Sequence, residues 1–145
     1  MRFIHAADLH IDSPLRGQSS GEGVPVDEIR GATRAAFDNL VTLAVDEAVT
    51  AVVIAGDLYD GDRDDYDTAI YLNRQFARLG EHGIPVVVVY GNHDAASEIT
   101  RRLRPPENVH VFSHTQAETI VLDDAGLALH GRSYRSRAVT QDLSL

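Results

Sequence analysis

The chain contains no cysteine. This absence excludes disulfide bonds, thiolate zinc sites and cysteine nucleophiles, and it is typical of cytoplasmic proteins. The chain also has no apolar run long enough to cross a bilayer, and its first residues lack the apolar core and the cleavage site of a secretory signal. We therefore expect a cytoplasmic protein that has no membrane partner.

Positive charge is scarce as well, because 13 Lys and Arg face 22 Asp and Glu, which leaves a net charge of −9. Such a chain is not expected to bind nucleic acid by bulk electrostatic attraction, since DNA phosphates favour basic surfaces. The balance is still compatible with a nucleic-acid enzyme, because acidic residues that hold divalent cations reverse the local field. A chain of 145 residues with 43% hydrophobic content suits a single globular domain.

Strand and helix patterns alternate along most of the chain. Short apolar runs at 2–7, 51–55 and 86–90 predict buried strands, of the kind found in sheets covered on both faces. Helical spacing predicts helices over 28–49 and 67–79 and a short one over 95–103. Short strands over 109–112, 119–122 and 127–130 follow, with a hairpin turn at 123–126. This order predicts an α/β fold with a parallel sheet.

The apolar residues at helical spacing are expected to face the core. In the first helix they are Ile29, Ala32, Ala36, Leu40, Leu43, Ala44 and Ala48. In the second helix they are Ala69, Ile70, Leu72, Phe76 and Leu79.

Polar side chains that can bind metals follow each of the first three predicted strands. The three motifs are Asp8-Leu9-His10, Gly56-Asp57-Leu58-Tyr59-Asp60 and Gly91-Asn92-His93-Asp94. The carboxyl ends of parallel strands share one edge of the sheet, where α/β enzymes bind ligands. Carboxylate and imidazole ligands suit manganese, iron or zinc better than calcium. Each motif alone could simply form a turn, but together they predict a metal site that could hold one ion or two.

These motifs, in this order and spacing, resemble those of the calcineurin-like metallophosphoesterases. Within that family the chain is similar to the SbcD/YhaO-type DNA repair exonucleases through segments 3–14, 56–62, 91–97 and 129–133. The likeness extends over nearly all of the 145 residues. It implies a metallophosphoesterase-type α/β/β/α sandwich, of which this chain would form the N-terminal portion. That portion would hold mostly parallel buried strands followed by short antiparallel strands.

The resemblance implies a role for each metal-binding residue. Asp8 and His10 would hold a first ion, Asp57 would bridge both ions, and Asn92 would hold the second. The cofactors would be two divalent ions, Mn²⁺ in this family, roughly 3.5–4 Å apart. A hydroxide activated between them would attack the phosphorus of a phosphodiester.

The resemblance also implies two catalytic residues and two partners. His93 would face the scissile phosphate and support the leaving oxygen, and Asp60 would orient His93 from behind. The substrate would be DNA, cleaved by an exonuclease in DNA repair, and the protein partner would be an SbcC-type coiled-coil ATPase.

Later ligands of the family, a histidine in a further strand and a Gly-His-x-His motif, have no counterpart in the sequence. We therefore expect residues 1–145 to form a metallophosphoesterase domain that is incomplete at its C-terminus and lacks the cap domain. Such a chain is expected to have little activity alone and to self-associate through exposed sheet surface.

The other histidines are interpreted as non-ligands. His130 follows a short strand, but its segment resembles one that precedes the missing ligands, so we interpret it as structural or peripheral. His82, His110 and His114 are expected at the surface, and His5 is expected to be buried within the first strand.

Two other functions fit the same residues. The chain could be a metallophosphoesterase that acts on a nucleotide, a phosphoprotein or a small phosphodiester, or an inactive remnant that binds a partner. The best candidate for phosphate contacts is the run Arg101-Arg102-Leu103-Arg104, although exposed helix arginines are the simpler account.

Overall fold

A computed structural model describes residues 1–13, 26–59, 66–95, 104–140 and 142, and only the backbone of 26–30. Within these residues, strands β1 (Ile4–Ala6), β2 (Val52–Ala55), β3 (Val86–Val89) and β4 (Val109–Val111) form a parallel sheet in the order β1-β2-β3-β4. Helices α1 (Val26–Asp46) and α2 (Tyr66–Glu81) connect the first three strands, and α3 (Asn92–Ala95) follows β3. Strands β5 (Glu118–Leu122) and β6 (Leu127–Gly131) pair antiparallel. The predicted α/β class is confirmed.

Both long helices cover the same face of the sheet. Consecutive strands are added in one direction, and right-handed crossovers then place both connecting helices on one side. The covered face carries the register partners Ile4, Val52, Val86 and Val109. Phe37 of α1 and Phe76 of α2 meet above it with their rings edge to face, their centroids 6.1 Å apart. This layer forms the hydrophobic core.

The prediction of a sheet covered on both faces was too strong, because the opposite face is partly open. His5 and Ala55 are exposed on it and Val53 is half-buried, while Val87 is buried. The expectation that His5 is buried was therefore wrong. Residues at alternate positions of a strand point to opposite faces, and His5 alternates with the core residue Ile4.

Fewer apolar side chains of the two long helices are buried than their helical spacing predicted. Among the α1 side chains that the structure describes, which begin at residue 31, Phe37, Val41 and Ala44 are buried, while Leu43 is 53% exposed. On α2, Ile70 is 58% exposed, although it was predicted to face the core. A helix turns about 100° per residue, so an apolar residue next to the buried row points away from it.

The C-terminal segment returns to the end of β3. The hydroxyl of Ser133 donates to the carbonyl of Phe112 (2.6 Å) and accepts from the N–H of Tyr90 (3.0 Å). The N–H of Tyr134 donates to the carbonyl of Tyr90 (2.8 Å). The segment therefore lies beside the third predicted motif. No helix in the described part of the chain has the length and apolar character needed to span a membrane.

Candidate metal centre

The loops after β1 and β2 remain paired beyond the ends of their strands. Backbone N–H groups of Asp8, His10 and Ile11 donate to the carbonyls of residues 56, 57 and 58, over 3.0–3.1 Å. Because both strands run in the same direction, this pairing places Asp8 and His10 beside Asp57 at the carboxyl edge of the sheet.

The backbone at these residues adopts the left-handed region. The φ angles are 53° at Asp8, 43° at His10 and 51° at Asp57. Side chains other than Asp, Asn and His rarely adopt such angles, and each costs about 1–2 kcal/mol. Residues held this way cluster at functional sites, where surrounding contacts enforce the conformation. The loop conformation thus agrees with a site at this edge.

The three side chains bring their donor atoms together. One carboxylate oxygen each of Asp8 and Asp57 and one ring nitrogen of His10 all lie within 4.8 Å of one another. Asp8 is exposed and the other two are half-buried, so the group opens to solvent. Two carboxylate oxygens and an imidazole nitrogen form a donor set that fits Mn²⁺, Fe²⁺ or Zn²⁺. The residues present therefore fit a divalent ion.

Asp57 also holds the third motif in place. Its Oδ1 accepts a hydrogen bond from the backbone N–H of His93 (3.1 Å), which lies in the first turn of α3, where N–H groups have no acceptor within the helix. The ring of His93 packs edge to face on the ring of His10, with centroids 5.1 Å apart. His93 is thus fixed beside the three clustered donors through both its backbone and its ring.

Gly91 allows this close approach. A Cβ atom at position 91 would lie 2.2 Å from Oδ1 of Asp57 and 2.8 Å from its backbone nitrogen. No side chain larger than hydrogen fits there without displacing Asp57. Gly56, with φ of +88°, lies against Gly91 from the other loop, since its Cβ would be 3.4 Å from the Cα of Gly91.

Asp94 connects the second and third motifs from inside the protein. Its Oδ1 accepts from the N–H groups of Leu58 (2.9 Å) and Tyr59 (3.2 Å), and its Oδ2 accepts from the N–H of Gly91 (2.8 Å). Its side chain is fully buried. Burial raises the pKa of Asp94 to about 6, backbone hydrogen bonds oppose that rise, and the nearby Asp57 carboxylate adds to it.

A second carboxylate anchors the first loop to both helices. Asp12, whose side chain is 6% exposed, forms an ion pair with Arg34 of α1. It also accepts a hydrogen bond from the hydroxyl of Thr68 in α2 (2.6 Å). The guanidinium of Arg34 lies over the ring of Tyr71, 4.8 Å from its centroid. The loop that carries Asp8 and His10 is therefore tied to the helical layer.

The remaining predicted site residues are placed as follows. Asn92 begins α3 at the same sheet edge, directly before His93. Asp60 and the arginines at 101 and 102 lie outside the described residues, while Arg104 is exposed. Among the described residues, the one cluster of His and acidic groups close enough to hold an ion excludes His130. His130 is exposed, and its Nδ1 lies 2.8 Å from the hydroxyl of Thr119.

Two residues that hold the site together, Asp94 and Asp12, were given no role from the sequence. Asp94 follows Gly91 by three positions, the spacing at which a side chain reaches back to the N–H at the start of a helix, so a capping signal was available. Asp12 continues the Asp-x-His alternation, but its partners Arg34 and Thr68 are distant in sequence and no local pattern indicates them.

Comparison with known proteins agrees with this geometry. The family model "Calcineurin-like phosphoesterase" matches residues 1–143. The chain is 37% identical over 145 residues to the "Uncharacterized metallophosphoesterase YhaO" of Bacillus subtilis, covering 98% of the chain and 36% of that protein. It is 30% identical over 150 residues to the SbcD component of the nuclease SbcCD of the same organism, covering 95% of the chain and 35% of that protein.

A third relative is archaeal. The chain is 27% identical over 95 residues to the "DNA double-strand break repair protein Mre11" of Sulfolobus acidocaldarius, covering 66% of the chain and 23% of that protein. The chain thus spans about a third, or less, of the length of these curated relatives. Because the family model covers nearly every residue and the three strand-end motifs meet at one edge, the chain belongs to the calcineurin-like phosphoesterases, hydrolases that use divalent metal ions.

Proposed function

We propose that this protein hydrolyses phosphodiester bonds in DNA, as an exonuclease that acts in DNA repair in the cytoplasm. The observation that carries the proposal is the group of donor atoms of Asp8, His10 and Asp57, all within 4.8 Å of one another. The names of two relatives, a nuclease component and a double-strand break repair protein, support DNA as the substrate. The SbcCD name also supports an SbcC-type coiled-coil ATPase as the partner.

The residues divide between two ions, which we propose to be Mn²⁺. Asp8, His10 and Asp57 would hold the first ion, and Asp57 and Asn92 would hold the second. Bound ions of this kind polarise phosphoryl oxygens and supply a nucleophile at neutral pH. The ligands within this chain are thus more numerous for the first ion than for the second.

His93 supplies the proton-bearing group. Its backbone N–H holds the carboxylate of Asp57, and its ring packs on His10, so the imidazole lies beside the proposed ligands. From there it can donate a hydrogen bond to a phosphoryl or leaving oxygen, which stabilises the charge that develops on that oxygen. We propose that Asp60 orients this ring.

The test is hydrolysis by the complete gene product that contains these residues. We expect Mn²⁺-dependent shortening of end-labelled double-stranded DNA, abolished by a chelator and reduced at least 100-fold in His93→Ala. His82→Ala is the matched control, because His82 is exposed in the turn that precedes β3, at the opposite edge of the sheet, and we expect wild-type rates from it.

The set of substrates that the protein hydrolyses distinguishes this proposal from its alternatives. Hydrolysis of bis(p-nitrophenyl) phosphate or of a nucleotide without any DNA cleavage would contradict the exonuclease function and leave a different phosphoesterase. The absence of hydrolysis of every substrate would indicate an inactive protein that binds a partner.

The expected difference in affinity between the two ions can be measured on the 145-residue chain itself. Calorimetric titration with Mn²⁺ is expected to give one tight ion per chain and a second that binds at least tenfold more weakly. Asp8→Asn should weaken the tight site, while Asp46→Asn, a substitution of an exposed residue at the end of α1, should not. Two ions of equal affinity would contradict this division.

A further inference from the structure

A cavity of about 370 Å³ lies between the loop after β4 and the segment after β6. This volume is within the range of about 300–1,000 Å³ that is typical of ligand sites. Most of the residues that line it are polar or basic, among them His114, Thr115, Arg132, Ser133, Arg135 and Ser136. The proposed metal ligands are not part of this lining.

The charge of this region is opposite to that of the whole chain. Residues 131–140 contain three arginines and no acidic residue, in a chain whose net charge is −9. Guanidinium groups and hydroxyls are hydrogen-bond donors, and arginine matches the oxygens of a phosphate bidentately. The lining therefore favours an anion with several oxygen acceptors.

One donor in the lining lacks an acceptor. The Nε of Arg132 is buried, and no hydrogen-bond partner for it is found within the described part of the chain. A buried donor of a charged group without an acceptor is unfavourable, because it has lost its hydrogen bonds to water without replacement. Because this Nε has no exposed surface, it can reach an anion in the cavity only if the Arg132 side chain shifts, and the charge of the surrounding arginines favours an anionic oxygen there.

The cavity is connected to the candidate metal centre through Tyr90. Ser133, in the cavity wall, accepts a hydrogen bond from the N–H of Tyr90, and the N–H of Tyr134 donates to the carbonyl of Tyr90. Tyr90 directly precedes Gly91, which opens the third motif. The cavity wall and the metal-binding edge therefore share a backbone anchor.

We propose that this cavity binds a second phosphate group of the substrate, one that is not cleaved, and thereby makes the enzyme favour a polynucleotide over a small phosphodiester. This inference rests on the proposed phosphodiester hydrolysis at the neighbouring metal centre. A strand of nucleic acid offers such a phosphate at every nucleotide, whereas a simple diester offers none.

The test compares two substrates of the complete gene product with Mn²⁺. In Arg135→Gln we expect the KM for a single-stranded oligodeoxynucleotide to rise five- to tenfold with kcat unchanged. The dependence of KM on salt should also become shallower, because one phosphate contact contributes a slope of about 0.7 on single strands. Neither kinetic constant for bis(p-nitrophenyl) phosphate should change. Arg135→Lys keeps the charge and should restore part of the lost affinity.

The matched control is Arg2→Gln, which removes the same charge at the opposite edge of the sheet, where the Arg2 side chain is 69% exposed. Its KM for the oligonucleotide should stay within a factor of two of wild type. An equal rise in Arg2→Gln would overturn the proposal in favour of bulk electrostatics. Unchanged kinetics in Arg135→Gln, or equal losses on both substrates, would overturn it as well.

A binding measurement separates this proposal from the proposed function. Inorganic phosphate is added to ¹⁵N-labelled protein while the Nε–H resonance of Arg132 is followed by NMR. A saturable shift that is lost in Arg135→Gln supports the cavity as a phosphate site even if the wild-type protein does not cleave DNA. The absence of a shift overturns the phosphate site itself. A shift without any effect of Arg135→Gln on oligonucleotide KM would restrict the site to free phosphate and overturn its role in substrate choice.

Discussion

The two edges of the parallel sheet contain the same strands, and backbone hydrogen bonds help to close both, but the carboxyl edge depends in addition on carboxylates. At the amino edge, backbone groups bond to each other: the N–H of Thr50 donates to Arg2 (2.8 Å), and that of Ile84 donates to Leu79 (3.0 Å). At the carboxyl edge, the carboxylates of Asp57 and Asp94 accept the backbone N–H groups of neighbouring loops. Many side chains tolerate the first arrangement, whereas the second requires particular residues.

Backbone strain is distributed in the same unequal way. Asp8, His10, Asp12 and Asp57, which have positive φ, lie at the carboxyl edge, while Ala48 lies after α1 at the amino edge. A loop that must present ligands cannot relax into the most stable backbone, so the surrounding contacts have to hold it there. The stability of the carboxyl edge therefore depends on the residues that also form its site.

The largest expected effect comes from removing the buried carboxylate. Asp94→Ala leaves the N–H groups of Leu58, Tyr59 and Gly91 without this acceptor and should lower the free energy of unfolding by about 3–5 kcal/mol. At the amino edge, Asn108→Ala removes bonds from Nδ2 to the carbonyls of Phe76 and Ile84 and should cost only about 1–2 kcal/mol. Guanidinium denaturation measures both, and equal losses would contradict the difference between the edges.

Substitution of glycine by alanine should have different effects at the two edges. Gly91→Ala drives a Cβ into Asp57, so we expect a loss of about 2–3 kcal/mol and at least tenfold weaker Mn²⁺ binding. Gly83→Ala places its Cβ in open space at φ of +69°, so it should cost about 1–2 kcal/mol and leave the metal affinity unchanged. Calorimetric titration of both variants provides the comparison, and normal Mn²⁺ affinity in Gly91→Ala would refute the steric argument.

The ion pairs of the two edges offer a smaller contrast. Asp12→Asn breaks a pair whose carboxylate is 6% exposed, and we expect a loss of about 2 kcal/mol after allowing for the exposed face of Arg34. Glu47→Gln breaks the pair with Arg2 at the amino edge, where the side chains are 45% and 69% exposed, and should cost about 0.5 kcal/mol or less. Denaturation at 1 M NaCl should erase only the second loss. If salt erased the first loss too, the Asp12 pair would not be protected from solvent.

The smallest expected effect is a gain in stability at the amino edge. Ala48 follows α1 with φ of 43°, a conformation that glycine adopts without steric cost. Ala48→Gly should therefore raise the free energy of unfolding by about 0.5–1 kcal/mol. Ala36→Gly, at an exposed position within α1, should lower it by about 1 kcal/mol and serves as the control. A loss of stability in both variants would show that backbone strain at position 48 is small.

Most of the element order could be predicted, because the signals are local. The apolar runs before residues 56 and 91 mark β2 and β3, and the structure differs from the predicted bounds by one or two residues at most of the ends. The exposure of Leu43 and Ile70 could not be predicted, since apolar spacing does not tell which of two adjacent apolar rows meets the sheet. His5 was assigned to the wrong environment because no local pattern in the sequence shows which face of the sheet is partly open.

In the candidate site, too, some features could be predicted from the sequence and others could not. The position of Asp8, His10 and Asp57 at one edge follows from the parallel strands that precede them, while the pairing of the loops after β1 and β2 brings them together. The contact between the His93 N–H and the Asp57 carboxylate was not predictable, because it depends on how the loops after β2 and β3 pack together and no pattern within either loop indicates it. The arginine-lined cavity has the same origin, since the segment after β6 reaches Tyr90 only through hydrogen bonds made in the folded chain.

The sequence alone indicates the fold class, the positions of the first three strands along the chain and the ligand types that follow them. It does so because hydrophobic periodicity and the polar residues that follow each strand are both recognised from residues close together in the sequence. The tertiary structure decided which groups hold those ligands in place. The burial of Asp94, the pairing of Asp12 with Arg34 and the approach of Gly91 to Asp57 each depend on residues brought together only by packing.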